Sequence, residues 1–444
     1  MVKMPHWPIP IGNKPIDLDL SRIKSLLNEL GNPQNKLPPV IHVAGTNGKG
    51  STVAFLKAIF QAANYKVHTY TSPHLVNFNE RIGICGTNIE DSFLFEVTEE
   101  CRIAAEKINL QTTFFEGTTA AAFLAFSKVK ADILILEVGL GGRLDATNVI
   151  DKPAMSVITS ISIDHTEFLG DNITQIAFEK SGIIKPNCPC TISQQYPEAM
   201  ELLQNIANKN NAQIFAYEYD WIVYPQNNNL IYESKERNII LPSPNLQGAH
   251  QYINAGNAIT AAINIKDFNI SDDHIAKGLT NAIWPARLQK LTDGNIINKI
   301  PKNIEIWVDG AHNEAGSHVL SIWLEDQPQL PTYMIFGMTK GRNCQNFLKA
   351  FTGKIKHIAG VLIEAEPSSY SGEYIKDVAI NSGFSSSGHD SIDEALDQIL
   401  KLEPEQKARI IICGSLYLAG DVLNQNQGFS VKPKYQETNS PSHC

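Results

Sequence analysis

Val40-Ile41-His42-Val43-Ala44-Gly45-Thr46-Asn47-Gly48-Lys49-Gly50-Ser51-Thr52 decides how the rest of the chain is read. Five apolar-biased residues predict a buried strand over 40–44. A glycine-rich turn follows, and then Val53, Leu56, Ile59, Phe60 and Ala63 recur at helical spacing through about Asn64. Strand, glycine loop and helix in that order read as a phosphate-binding loop, with a tight glycine-rich turn that holds no nucleotide as the alternative. Glycines let backbone N–H groups approach the phosphates, and the helix N-terminus adds positive potential. Lys49 supplies a point charge for the β- and γ-phosphates, and Ser51 or Thr52 offers a hydroxyl to Mg²⁺. The strict phosphate-loop spacing is not met: the upstream glycine lies closer, and Gly50 stands where Ser or Thr should follow the lysine.

Further strands deliver polar groups at their C-terminal ends. Val67–Thr71 runs into Ser72-Pro73-His74, Ile133–Val138 carries Glu137 near its end, and Met155–Ile163 runs into Asp164-His165. Helix-like segments such as Thr118–Lys128 lie between them, which predicts a parallel sheet covered on both faces. In such sheets ligands bind at the carboxyl edge of the strands. Ser72, Glu137 and His165 arriving there beside a phosphate loop suit a Mg²⁺ site. A carboxylate inside an apolar strand is costly unless paired with charge, so Glu137 needs either a metal or a salt bridge to Arg143. His165 alone reads equally well as a core or capping histidine.

From about Pro285 the strand–helix rhythm restarts. Strands are expected at Ile304–Val308, Tyr333–Gly337, Ile358–Ile363 and Arg409–Cys413, with helices such as Ala315–Leu324 and Ile392–Leu402 between them. The reading is an N-terminal domain carrying the phosphate loop over 1–284, a smaller domain over 285–423 and a flexible tail over 424–444. Phe215–Leu241 alternates like antiparallel strands decorating the first domain. In the second, Asp309-Gly310-Ala311-His312-Asn313 follows a strand, and Arg287 in the linker is either a surface arginine or one that reaches nucleotide.

Composition narrows the function classes. The chain has 444 residues, 43% of them hydrophobic and 19% charged, which supports a real core and argues against disorder. A net charge of −9 without a basic stripe argues against nucleic-acid binding. No apolar run is long enough for a membrane span, Met1–Pro10 lacks the apolar core of a signal peptide, and the cysteines match no zinc or redox spacing. The expectation is a cytoplasmic protein with reduced cysteines, no membrane or nucleic-acid partner, and a monomeric state.

Several ordered blocks resemble the folylpolyglutamate synthase and dihydrofolate synthase family of the Mur-ligase-like superfamily. They are GTNGKGS at 45–51, TSPHLVNFNERI at 71–82, LEVGLGGRLDATNVI at 136–150, SISIDHTEFLG at 160–170, EKSGIIK at 179–185, PARLQ at 285–289 and DGAHN at 309–313. The resemblance runs from about Ile16 to about Asp421. It implies an α/β fold: a P-loop parallel-sheet ATPase domain followed by a smaller Rossmann-like domain. It implies ATP as co-substrate held by Thr46, Asn47, Gly48, Lys49, Gly50 and Ser51, with Asn257, Arg287 and Asp309 as further ATP contacts and His312 nearby. Two Mg²⁺ ions would be held by Ser72, Glu137 and His165. Lys180 matches a lysine that carries a carbamate, although alone it reads as an ordinary helix lysine. Ile16, Asp17 and Leu18, Thr113, Phe114, Phe115 and Glu116, and Leu144, Asp145 and Ala146 match pteroate-binding segments. Phe114 or Phe115 would stack on the pterin or belong to the core, and Asp17 would bind pterin nitrogens or cap a helix near Leu20.

The implied activity is ATP-dependent ligation of L-glutamate to dihydropteroate and to reduced folates through an acyl phosphate. The block over 142–148 resembles the bifunctional branch. The alternatives are a folylpolyglutamate synthase only, or another Mur-type peptide ligase. The latter would carry a nucleotide-sugar domain ahead of a loop that here begins at Gly45. From other classes, a P-loop kinase would not need the DGAHN domain, and a dead nucleotide-binding module would not need Lys49, Glu137 and His165 together. One departure stands out. Met338-Thr339-Lys340-Gly341-Arg342-Asn343 replaces the family's acidic-Lys-acidic motif.

Overall fold

The computed structural model describes residue 7 and residues 19–364, 366–402 and 407–428. Ile16, Asp17 and Leu18 therefore lie outside the described residues, as does the end of the expected tail. The chain divides into two compact units, Met1–Trp284 and Pro285–Cys444.

The first unit is built on an eight-stranded sheet. Its strands are β1 (Val40–Ala44), β2 (Val67–Tyr70), β3 (Ile82–Ile84), β4 (Thr87–Asn88), β5 (Ile133–Glu137), β6 (Met155–Ile158), β7 (Cys190–Ile192) and β8 (Ile214–Ala216). They lie in the order β4-β3-β2-β5-β1-β6-β7-β8. The pairs from β2 to β8 are parallel, and β3 and β4 form an antiparallel edge. β1 sits in the middle, flanked by β5 and β6, so the chain leaves it to opposite sides. That is the switch point at which open sheets bind ligands.

Both faces of this sheet are buried, and the strand alternation shows it. Ile133 and Ile135, with Ile41, Val43, Met155 and Val157, pack under the helices Lys49–Ala62, His250–Asn264 and Asp272–Asn281. Leu134 and Leu136, with Val40, pack under Ser21–Glu29, Asp91–Lys107 and Phe114–Lys128. Adjacent residues point to opposite faces, so a strand with two covered faces reads as a continuous apolar run. The segment over 215–241 does form antiparallel structure: β9 (Trp221–Gln226), β10 (Asn229–Ser234) and β11 (Asn238–Pro242) make a three-stranded sheet. Trp221, Val223 and Tyr232 from it enter the same core as the helix His250–Asn264.

One strand is shorter than its apolar pattern suggests. β6 ends at Ile158 and does not continue to Ile163. The reason is local: the Ser160 carbonyl accepts from the amides of Thr46 and Asn47, and Ser162 exchanges hydrogen bonds with the Thr46 hydroxyl. These residues leave the sheet to brace the glycine loop.

The second unit has a six-stranded sheet of β12 (Gln289–Leu291), β13 (Ile304–Val308), β14 (Thr332–Phe336), β15 (His357–Val361), β16 (Ser386–His389) and β17 (Ala408–Cys413), in the order β12-β13-β17-β14-β15-β16. Only β12 runs antiparallel to its neighbour. The last helix, Leu416–Asn426, continues through Asn424, where the sequence suggests a tail. Among the described residues no helix is long and apolar enough to cross a membrane.

Candidate active site

The glycine loop joins β1 to the helix Lys49–Ala62 with its backbone already braced. Thr46 and Asn47 donate their amides to Ser160 O at 2.9 and 3.1 Å, and Asn47 Nδ2 donates to Ser162 Oγ at 3.0 Å. Lys49 folds back over the loop, Nζ donating to Gly45 O at 3.0 Å and Thr46 O at 3.2 Å.

A group of residues far along the chain completes this corner. On the helix His250–Asn264, Gln251 Nε2 donates to Ser51 Oγ at 3.3 Å, and Asn254 Nδ2 donates to Gln251 Oε1 at 3.1 Å. Asn254 Oδ1 faces the loop so closely that a Cβ on Gly48 would meet it at 2.3 Å. Asn257 is not the asparagine that faces the loop. Its Oδ1 accepts from Thr191 Oγ1 at 2.8 Å and its Nδ2 donates to Ile158 O at 3.3 Å, which ties helix to sheet. One helical turn separates the two, and only the packing decides which faces the loop.

The departure at Gly50 also has a physical cause. A Cβ there would lie 2.4 Å from the Trp284 indole, which fills the space a Ser or Thr would need. Gly50→Ser, which supplies the residue type that the strict motif has after the lysine, should therefore destabilise the protein by about 1–3 kcal/mol through overpacking. A thermal melt checks this, and an unchanged midpoint would show that the indole yields.

Lys180 is the least expected feature of the site. It sits on the helix Ile173–Ser181, only 4% exposed, with Nζ 3.0 Å from Gly45 O. The same carbonyl oxygen accepts from Lys49. Burial, and then the neighbouring Lys49 charge, pull the Lys180 amine down to about 7 from its ordinary 10.5, opposed by Asp164 and Asp145. A solvated surface lysine, the plain reading of its sequence, is thus corrected: this amine is enclosed and half neutral near physiological pH.

Glu137 ends β5, 3% exposed, and Ser72 N donates to its Oε2 at 3.2 Å. Arg143 pairs instead with Glu179, Nη2 to Oε1 at 2.9 Å. His165 adopts a left-handed conformation, φ 50°, at the start of the short helix Thr166–Leu169. Among the described residues no group of three or more His, Cys, Asp or Glu could hold a metal by itself. Glu137 and Ser72 meet here, and a carboxylate, a hydroxyl and an imidazole are donor types that suit an ion that keeps several waters and takes phosphate oxygens, as Mg²⁺ does. Glu137→Gln keeps the shape and removes the charge. Turnover should fall about 100-fold or more with a raised Mg²⁺ requirement. A metal titration that matches the wild type would make Glu137 purely structural.

The pteroate-matching segments are tightly engaged. Thr113 and Glu116 form a reciprocal cap on the helix Phe114–Lys128, and Arg22 Nε donates to Glu116 Oε1 at 3.0 Å. Phe115 packs against the core beside Gly139, so the core reading holds for it. Phe114 is half-buried, edge-on to Phe78 with centroids 6.1 Å apart, and Arg81 lies 5.5 Å over its ring. Asp145 is buried and accepts from Leu140 N at 2.8 Å and from Thr147 N and Oγ1 at 3.0 and 2.5 Å. Burial pushes its pKa up against those donors. Ala146 belongs to the core, and Leu144 is half-buried.

In the second unit, Asp309 follows β13. Its Oδ2 accepts from Leu288 N at 2.8 Å and its Oδ1 from Ala311 N at 2.7 Å. Arg287 Nη1 donates to Ala286 O at 3.0 Å. His312 Nδ1 lies 3.0 Å from Gly310 O, and Arg342 Nη1 donates to His312 O at 3.3 Å. The segment that departs from the acidic-Lys-acidic pattern thus still sends a cation to this loop, and Asn343 caps the helix Cys344–Lys349.

Known proteins resemble this chain over nearly its whole length. Residues 43–262 match the Mur ligase middle domain, and residues 293–425 match the dihydrofolate synthetase C-terminal domain. The dihydrofolate synthase/folylpolyglutamate synthase of Bacillus subtilis is 33% identical over 434 residues, covering 94% of this chain and 96% of that protein. The structure of E. coli FolC in complex with DHPP and ADP superposes with a TM-score of 0.83 at 28% identity, covering 93% of this chain and 94% of that one. A bifunctional folylpolyglutamate synthase/dihydrofolate synthase with Mn, AMPPNP and L-glutamate bound gives 0.81 at 27% identity, covering 93% and 95%. The architecture is Mur-ligase-like throughout, and the chain belongs to the dihydrofolate synthase/folylpolyglutamate synthase family.

Proposed function

We propose that this chain is an ATP-dependent amide ligase that joins L-glutamate to dihydropteroate and to reduced folates already carrying glutamate. One observation carries the reading beyond nucleotide binding: a buried second lysine, Lys180, meets the phosphate-loop lysine at the Gly45 carbonyl. Nucleotide binding alone has no need of an enclosed amine there. Family membership supplies the acceptor class, and the two related structures hold DHPP and ADP in one case and Mn, AMPPNP and L-glutamate in the other.

A carboxylate resists attack by an amine because its oxygen is a poor leaving group. An acceptor carboxylate oxygen therefore attacks the γ-phosphorus of ATP, the bond to the bridging oxygen breaks, ADP leaves and an acyl phosphate forms. Lys49 and the braced loop amides hold charge on the transferring phosphoryl group. The neutral amine of glutamate then attacks the acyl carbon, and phosphate leaves as the amide forms. His312 is our candidate for receiving the ammonium proton. Magnesium, as two ions near Ser72, Glu137 and His165, would neutralise phosphate charge. A carbamate on Lys180 would add a carboxylate to that group. Arg287 is assigned to the nucleotide as a cation carried by the second unit, and Phe114 with Arg81 to the flat pterin. We place the reaction in the cytoplasm with a single chain as the working enzyme.

Dihydropteroate ends at its benzoate carboxylate, whereas a folate reaches one glutamate further. One pocket cannot place both carboxylates identically at the γ-phosphate, so two overlapping binding modes and unequal Michaelis constants are expected. The test is ATP consumption with dihydropteroate and then tetrahydrofolate, each with and without glutamate. Glutamate-dependent phosphate release with both acceptors is the expected result. Release with tetrahydrofolate alone would reduce the activity to folylpolyglutamate synthesis, and release that ignores glutamate would overturn the ligase reading.

A further inference from the structure

The backbone changes its facing just after β6. In a regular parallel ladder the N–H and C=O of one residue serve the same neighbouring strand. β6 keeps to this as far as Ile158, whose carbonyl accepts from Ser193 N, just past β7, at 2.9 Å. Thr159 breaks the pattern. Its amide donates to Ala44 O of β1 at 2.8 Å, but its carbonyl turns the other way, to the segment that follows β7. Ser160 O then points back at the glycine loop, where it accepts from Thr46 N at 2.9 Å and Asn47 N at 3.1 Å.

One side chain brackets that reversal. Gln195, beyond the end of β7 at Ile192, donates Nε2 to Thr159 O at 2.9 Å and accepts at Oε1 from Ile161 N at 3.0 Å. A single amide thus holds the residues before and after Ser160, and both of its atoms face a group of the complementary kind. Thr159 and Ile161 are buried, so a carbonyl or an amide left unmet there is costly. The loop side is closed as well. A Cβ on Gly45 would sit 1.9 Å from Thr159 Oγ1, so the glycine lies directly on that hydroxyl.

We infer that Gln195 is a positioning residue for the phosphate loop: it fixes the backbone over 159–161 so that one carbonyl, Ser160 O, holds two successive loop amides in place before nucleotide arrives. This rests on the ligase reading above for what the loop binds, whereas the bracket itself is local geometry. Without the Gln195 amide, Thr159 O and Ile161 N regain partners most directly by a return to regular strand facing, which draws Ser160 O away from the loop. Thr46 N and Asn47 N then lose their common acceptor. The nucleotide must order the loop as it binds, and affinity falls by that cost. The loss falls on nucleotide and leaves the affinities for acceptor and glutamate where they were.

The experiment compares the wild type with Gln195→Met, which keeps the length and removes both polar atoms, and with Gln195→Glu, which keeps an acceptor for Ile161 N but sets an oxygen against Thr159 O. Gln194→Met, at the exposed neighbouring position, is the control. Amide hydrogen exchange, calorimetric titration with AMPPNP and Mg²⁺, and steady-state kinetics are measured on each. In Gln195→Met the amides of Thr46, Asn47 and Ile161 should exchange about tenfold faster, the scale of one or two lost hydrogen bonds. Kd for AMPPNP and KM for ATP should rise about tenfold, with KM for the pterin acceptor and for glutamate unchanged. Gln195→Glu should speed exchange at Thr46 and Asn47 while Ile161 stays protected, and the control should match the wild type. A merely structural role predicts a lower melting temperature with loop exchange and AMPPNP affinity unchanged in the folded protein, and that outcome overturns the inference. If the wild type does not bind AMPPNP, the ligase reading fails, while the exchange data still decide the bracket. If Gln195→Met does not fold, unchanged exchange at Thr46 and Asn47 in Gln195→Glu would equally overturn the inference.

Discussion

Lys49→Ala should reduce ATP-dependent phosphate release by about 1,000-fold or more while leaving the melting transition near that of the wild type. The ammonium is held over the loop by two of the loop's own carbonyls, Gly45 O and Thr46 O, so it is placed before any substrate arrives. Charge on the transferring phosphoryl group is what limits such reactions, and a fixed cation in a water-poor site counters it without reorganisation. The fold should tolerate the loss. The loop keeps its amide bonds to Ser160 O, and the alanine removes a like charge next to Lys180. Phosphate release at the wild-type rate from a purified, folded variant would remove Lys49 from the mechanism.

Lys180→Ala should cost about 100-fold in turnover, and acetate or formate should restore part of it. The amine is buried against Gly45 O and pulled down to about 7 by burial and by Lys49. Carbamylation needs the neutral amine, so at fixed dissolved CO₂ the modified fraction should rise as pH climbs through 7. Stability carries the matching sign. The unfolded lysine holds its proton up to about 10.5 whereas the folded one releases it near 7, so over that window the unfolded state binds more protons. This site's contribution therefore favours the folded state increasingly as pH rises from 7 toward 10.5. Intact-mass measurement under bicarbonate reads the modification directly. A bare amine in a bicarbonate-grown crystal, together with no rescue by short carboxylates, would refute the carbamate.

Much of this was legible in the sequence because local physics dictated it. β1, β13 and the helix Ile392–Leu402 fall where apolar runs and helical spacing place them. The glycine loop likewise lies between strand and helix where the sequence places it. What the sequence concealed is long-range. Nothing near Ser51 shows that Gln251 bonds it, or that Trp284 forbids a side chain at Gly50. Asn254 and Asn257 look alike in one helix, and only the packing against β6 and β7 separates them. Lys180 reads as a solvated helix residue until the loop above it is in place, since burial is a property of neighbours and not of the residue. Glu116 is likewise a matter of neighbours: a residue matched to a ligand segment is also held by a helix cap and an ion pair.

The helix that follows the phosphate loop is covered by partners made much later. Phe55, Ile59 and Phe60 lie in one core with Ala258, Ile259, Ile275 and Leu279, and Gln251 reaches Ser51 across 200 residues of chain. On the ribosome, at roughly 5–20 residues per second, that gap amounts to about 10–40 s in which the part of this helix that meets the later helices has no native cover. The nascent chain must therefore carry an unfinished glycine-loop corner through nearly half of its own synthesis. A stalled product ending before residue 250 would expose the kind of surface that chaperones bind, so expression yield should respond to translation speed over residues 64–250 more than over the second unit.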